Sequence, residues 1–216
     1  MELWPGGPQL RIAGVPLRVS PLFVVVALFA AYRATRGLDD MRIAPTPPMP
    51  RGDLEAAAAW LDRYGTLDVI KTTPGPGYVL LVGLGVVLAF ALSILIHELG
   101  HLFAGRALGA HPTAIELNLF GGFVEFDDDG RIRPGRHALI IAAGPAATLA
   151  VLIAAVLASG ALGNVVEEGT ALALAIDRVA AYTIGFNAIA LFINLLPIRP
   201  LDGGQLLGTA RLAFAR

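Results

Sequence analysis

The sequence predicts an all-α polytopic membrane protein with about four transmembrane helices and a small β-hairpin or re-entrant segment, and three observations carry that prediction. Of 216 residues, 56% are hydrophobic and 15% charged, a balance more apolar than soluble domains carry. Mean hydropathy is +0.68. Four stretches are apolar enough to cross a bilayer, which takes roughly 20 residues per helix. Between the second and third of them the apolar residues change to a two-residue period around a Gly-Gly pair.

The four stretches are 19–32, 78–105, 138–160 and 179–196, the last running on through "LDGGQLLGTARLAF" to residue 214. The first is the shortest. Residues 33–77 read as an extramembrane insertion: Pro and Gly gather at both ends of a helical pattern at 53–64, which predicts one short surface helix. Residues 112–137 read as a cytoplasmic or re-entrant hairpin loop. There Ile115, Leu117 and Leu119 alternate with polar residues up to Gly121 and Gly122, after which Phe123, Val124 and Phe126 resume, so the two glycines are expected in the turn. No internal repeat is visible, and 1–216 is expected to be a single domain. The N-terminus lacks a compact basic region leading into an apolar core, so no cleaved leader is expected.

Charge and composition narrow the partners. The chain holds 16 Lys+Arg against 17 Asp+Glu, a formal net charge of -1, so no basic excess points to nucleic acid. With no cysteine, imidazole and carboxylate are the strong metal ligands on hand. Basic residues collect before the first span (Arg11, Arg18) and between the second and third (Arg106, Arg131, Arg133, Arg136). That distribution predicts both termini and the hairpin loop on the cytoplasmic side.

The second span contains "HELGH", residues 97–101. On a helix His97 and His101 share one face a turn apart and can hold one zinc ion, with Glu98 beside them to accept a proton from water. The plainer alternative makes both histidines satisfied polar residues of a helix bundle. Ionisable groups at membrane depth are expensive and by default functional, which favours the metal reading. Nine residues separate His97 from Arg106, about 13 Å of helix.

A third ligand is needed from another span. His111, Glu116, Glu125, Asp127 to Asp129 and His137 all fall in the loop or at its foot, whereas Asp202 lies in "NLLPIRPLDGGQLLGTAR". Nine residues also separate it from Arg211, giving the same depth of about 13 Å if that segment is helical. Pro197, Pro200, Gly203 and Gly204 would break the chain there, which is tolerated in a membrane only against protein or a water-filled cavity. The competing role for Asp202 is a helix cap.

"HELGH" in one span and "FINLLPIRPLDGG" in a later one together resemble the paired signatures of the site-2 protease family of intramembrane zinc metalloproteases. "NLFGGFVEF" is similar to the Gly-Gly segment that follows the first motif in that family, and "GVPLRVSPLF" resembles its entry into the first span. The resemblance implies His97, His101 and Asp202 as ligands of one zinc ion per chain and Glu98 as the catalytic acid/base. It also implies a transmembrane protein as substrate, membrane-tethered transcription regulators or remnant signal peptides among them. In "AAGPAATLAV", Thr148 stands where many members carry asparagine, and residues 33–77 have no counterpart in the family.

The expected function is therefore regulated intramembrane proteolysis in a prokaryotic cell membrane, with the active site facing the cytoplasm. Expected partners are a transmembrane substrate and the lipid bilayer, homo-oligomerisation being compatible with this and nucleic acid not. Gly121 and Gly122 are candidates for presenting a strand edge to an extended substrate. Asn194 is a candidate oxyanion donor, while Asn187, seven residues earlier on the same helix face, reads better as an interhelical hydrogen-bonding residue. A metal-ion transporter is the rival class, disfavoured by the lack of repeated halves. A non-catalytic membrane scaffold is the other, disfavoured because all four metal and catalytic positions are filled.

Overall fold

The computed structural model describes residues 10–36, 52–56, 58–59, 76–118, 121–127, 132–163, 165–166 and 171–214. In chain order these form β1 (Arg11–Ile12), β2 (Val15–Val19), α1 (Pro21–Arg36), α2 (Pro76–Leu108), β3 (Pro112–Asn118), β4 (Gly121–Phe126), α3 (Pro134–Gly163), α4 (Ala171–Asn194) and α5 (Asp202–Phe214). The protein is mostly helical with one small sheet.

Three of the described helices are long and apolar enough to cross a membrane: α2, α3 and α4, over Tyr78–Leu108, Pro134–Leu162 and Ala175–Asn194. The first expected span, 19–32, is represented by α1, an apolar helix below that length. Its 16 residues rise about 24 Å at 1.5 Å each. Proline opens α1, α2 and α3, a position where its missing N–H costs nothing. The Ser20 hydroxyl accepts the Leu22 N–H at the head of α1 (3.3 Å). The fourth sequence stretch divides: α4 stops at Asn194, residues 195–201 are non-helical, and α5 begins at Asp202.

Large apolar side chains such as Leu88, Phe29 and Leu157 stand exposed on the outer helix faces. That is the surface a membrane protein presents to lipid, where no water penalises it. This is a membrane protein, and its interior is correspondingly small. One cluster joins Phe23 of α1, Ile94 and Leu102 of α2 and Val15, Ile115 and Leu117 of the sheet. Phe90 of α2 links it to α4, with ring centroids 5.5 Å from Phe23 and 4.7 Å from Phe186 of α4. Toward the other end of α2, Val82 and Val86 pack with Ala34 and Ala175.

One sequence expectation is extended here and another corrected. The hairpin after α2 is part of a four-stranded sheet of order β1-β2-β3-β4, in which β2 runs parallel to β3 (Leu17 opposite Ile115, Val19 opposite Leu117). Ala13 and Gly14, with φ of 50° and 79°, make the tight β1–β2 turn, the two positive φ values that right-handed strand twist favours. Gly121 and Gly122 are not the turn of the second hairpin. They begin β4, opposite Asn118 and Leu117.

In the 33–77 insertion, a helical turn at 54–56 is capped by Asp53, whose Oδ1 accepts the N–H groups of Glu55 and Ala56, both at 3.0 Å. The remainder of the helix expected at 53–64 lies outside the described residues apart from 58–59.

Candidate metal centre

Helix α2 runs unbroken through the HELGH pentapeptide, so the four-residue spacing sets both imidazoles on one face. The His97 and His101 Nε2 atoms are 3.1 Å apart and the rings stand nearly perpendicular, at 80°. The third group comes from 101 residues further on (202 minus 101). Asp202, the first residue of α5, places Oδ2 3.1 Å from His97 Nε2 and Oδ1 3.5 Å from His101 Nε2. One ligand atom from each of the three residues lies within 4.8 Å of the others. Continuous helix from Asp202 to Phe214 also gives Asp202 and His97 the same nine-residue helical distance from Arg211 and Arg106.

Helix α3 backs both imidazoles. His101 Nδ1 lies 2.9 Å from the Ile140 carbonyl and His97 Nδ1 2.8 Å from the Thr148 hydroxyl. A carbonyl only accepts, so His101 Nδ1 carries the hydrogen and Nε2 turns a lone pair to the cluster. Between these contacts sits Gly144. A Cβ there would collide with His101 Nε2 and stand 2.8 Å from His97 Nε2. Residues 140, 144 and 148 form one stripe along α3: an acceptor, a gap and a hydroxyl. In the sequence Thr148 showed only as a departure from a motif, and the four-residue spacing from Gly144 was the signal that it shares the site-facing stripe.

The donor set suits a divalent cation. Two imidazole nitrogens and a carboxylate converge on one point, and Asp202 Oδ2 is buried without a hydrogen-bond partner. Two histidines and one carboxylate leave a fourth position open, the pattern of catalytic and not structural zinc sites. Among the described residues these three form the His/Asp/Glu group able to hold a metal ion.

Glu98 is 2% exposed, and its Oε2 is likewise buried without a partner. The side chain lies under β4: a Cβ on Gly122 would fall 2.6 Å from Glu98 Cγ. Asn187 is fully buried and donates through Nδ2 to Ser93 Oγ of α2 at 2.9 Å, the interhelical bond expected of it. Asn194 is the last residue of α4 and half-buried, and Gly121 is the first residue of β4.

Fold and site together define a helical membrane protein in which an HExxH pair of histidines and a distant aspartate form a group that could hold a metal ion. Residues 85–165 match the model of peptidase family M50. The Rip3 protein of Mycobacterium tuberculosis, which carries the name of a zinc metalloprotease, is 32% identical over 150 residues, 68% of this chain and 37% of that protein. Stage IV sporulation protein FB of Bacillus subtilis is 33% identical over 120 residues, covering 56% of this chain and 38% of the relative. Among solved structures, the site-2 protease from Methanocaldococcus jannaschii aligns over 92% of this chain and 68% of that chain, at a TM-score of 0.46 and 18% identity. The chain spans less than two-fifths of the length of the curated relatives it matches. These likenesses support peptidase family M50, the site-2 protease family, as the one whose signatures this chain carries.

Proposed function

We propose that this chain is an intramembrane zinc metalloendopeptidase that hydrolyses a peptide bond in or near the transmembrane segment of membrane-protein substrates, as in regulated intramembrane proteolysis. The observation that carries the reading is the convergence of His97, His101 and Asp202 beside a buried, unpartnered Glu98 carboxylate oxygen. His97 and His101 through Nε2, and Asp202 through its carboxylate, would hold one zinc ion. When bound, zinc supplies the Lewis acidity that polarises the scissile carbonyl and acidifies water at the site.

The chain's own residues do the rest. Glu98 accepts a proton from the attacking water and returns it to the leaving amine nitrogen, so no proton is left over when the C–N bond breaks. A substrate helix must first unwind, because its carbonyls are otherwise held in intrahelical hydrogen bonds. β4 ends the order of the sheet and Gly122 touches Glu98, so an extended segment adding at Gly121 and Gly122 would bring its backbone to the acid/base. Asn194 is assigned to the developing oxyanion.

The basic residues before α1 and between α2 and α3 support a cytoplasm-facing site in a prokaryotic cell membrane. The two curated relatives named above are bacterial.

The test is zinc content of the detergent-purified chain, followed by cleavage of a co-reconstituted single-span substrate with a destabilised helix. One zinc per chain is expected, lost on combining His97→Ala with His101→Ala and weakened in Asp202→Ala. Cleavage is expected to disappear in Glu98→Gln while zinc stays. A wild-type chain purified without chelator that takes up no zinc overturns the reading.

A further inference from the structure

We infer that Thr148 is a positioning residue for the metal ligand His97, fixing through its hydroxyl which ring nitrogen faces the cluster. The inference deepens the zinc reading and rests on it.

The two histidines have chemically different supports on the same helix. His101 Nδ1 faces a backbone carbonyl, which can only accept and leaves that ring one neutral tautomer. His97 Nδ1 faces a hydroxyl, which can accept or donate. When the Nδ1 hydrogen is donated to Thr148 Oγ1, His97 Nε2 presents its lone pair to the shared centre. When the hydroxyl donates instead, the hydrogen sits on His97 Nε2, which lies 3.1 Å from His101 Nε2, and it bonds the two rings to each other in the metal-free cluster. One buried side chain thus serves both forms of the site without a net gain or loss of protons. Thr148 is 2% exposed, so water is a poor substitute partner for the ring.

Geometry makes the role specific to this position. Ile140, Gly144 and Thr148 are four residues apart along α3, and the gap at Gly144 lets the helix approach until hydroxyl and carbonyl each reach a different imidazole. Partners of this kind orient ligating histidines, and losing one typically weakens metal binding on the order of 10–100-fold.

The experiment titrates zinc into metal-free wild type, Thr148→Val and Thr148→Ser in detergent, with the thermal midpoint of each metal-free protein measured alongside. Valine keeps the shape and removes the hydrogen bond, so zinc affinity should fall on the order of 10–100-fold while the metal-free midpoint holds. Serine should restore the affinity. A valine variant that binds zinc as tightly as wild type overturns the inference and leaves the zinc reading standing. Wild type that binds no zinc overturns both. Should the valine variant fail to fold, the ring-nitrogen chemical shifts of His97 in the zinc-loaded wild type decide the matter. Protonated Nδ1 with ligated Nε2 supports the assignment, and ligated Nδ1 overturns it.

Discussion

Gly122 of β4 lies directly against Glu98 of α2, so close that a Cβ on Gly122 would stand 2.6 Å from Glu98 Cγ and 2.7 Å from Oε1. The strand that borders the site and the carboxylate assigned as acid/base are therefore in contact, with no room for a side chain between them.

Gly122→Ala must push one of the two aside. Because a displacement of about 1 Å can cost on the order of 100-fold in rate, cleavage should fall by roughly that factor while zinc content stays at the wild-type level. Equal turnover in the two proteins would show that Glu98 tolerates the shift and separate its placement from β4.

Gly144→Ala should act on the metal instead. Its Cβ would meet His101 Nε2 and come within 2.8 Å of His97 Nε2, displacing the lone pairs assigned to the ion. Zinc titration should report a loss of at least about tenfold in affinity, the lower end of what disturbing ligand orientation costs. Unchanged affinity would mean that α3 can retreat from α2.

Asn194→Leu tests the oxyanion assignment. Removing one such donor costs roughly 100- to 1,000-fold in kcat, with zinc binding expected to stay as it is. Turnover close to wild type removes Asn194 from the mechanism.

Ser93→Ala removes the acceptor of the buried Asn187 amide and leaves its second bond, to the Thr183 carbonyl at 2.8 Å. Interhelical bonds of this kind in membranes are worth about 0.6 kcal/mol on average. A small drop in unfolding stability with zinc content unaffected is the expected outcome. Loss of zinc in Ser93→Ala would mean that the α2–α4 contact shapes the site one turn away.

Much of the site was legible because its chemistry is written in local spacing. Two histidines four apart declare a shared helix face, and an aspartate among prolines and glycines declares a break at depth. The positions of His97, His101 and Asp202 needed no more than that. What the sequence could not display was pairing across distance. The parallel register of Leu17 with Ile115 leaves no local period, so the segment before α1 read as an entry to a helix when it is half of a sheet. Gly121 and Gly122 misled for a related reason: a glycine pair usually marks a turn, but here Gly122 is small because Glu98 occupies the space above it. Thr148 likewise looks unremarkable until α3 is laid against α2.

The pairing of β2 with β3 also bears on how the chain is threaded into its membrane. β2 leads straight into α1, and β3 follows the end of α2, so the sheet closes only when the start of α1 and the end of α2 reach the same side. A nascent chain inserted with α1 reversed would strand the two hairpins on opposite faces of the bilayer, beyond reach of each other. Sheet closure is thus a checkpoint on orientation, passed only after residue 117 has left the ribosome.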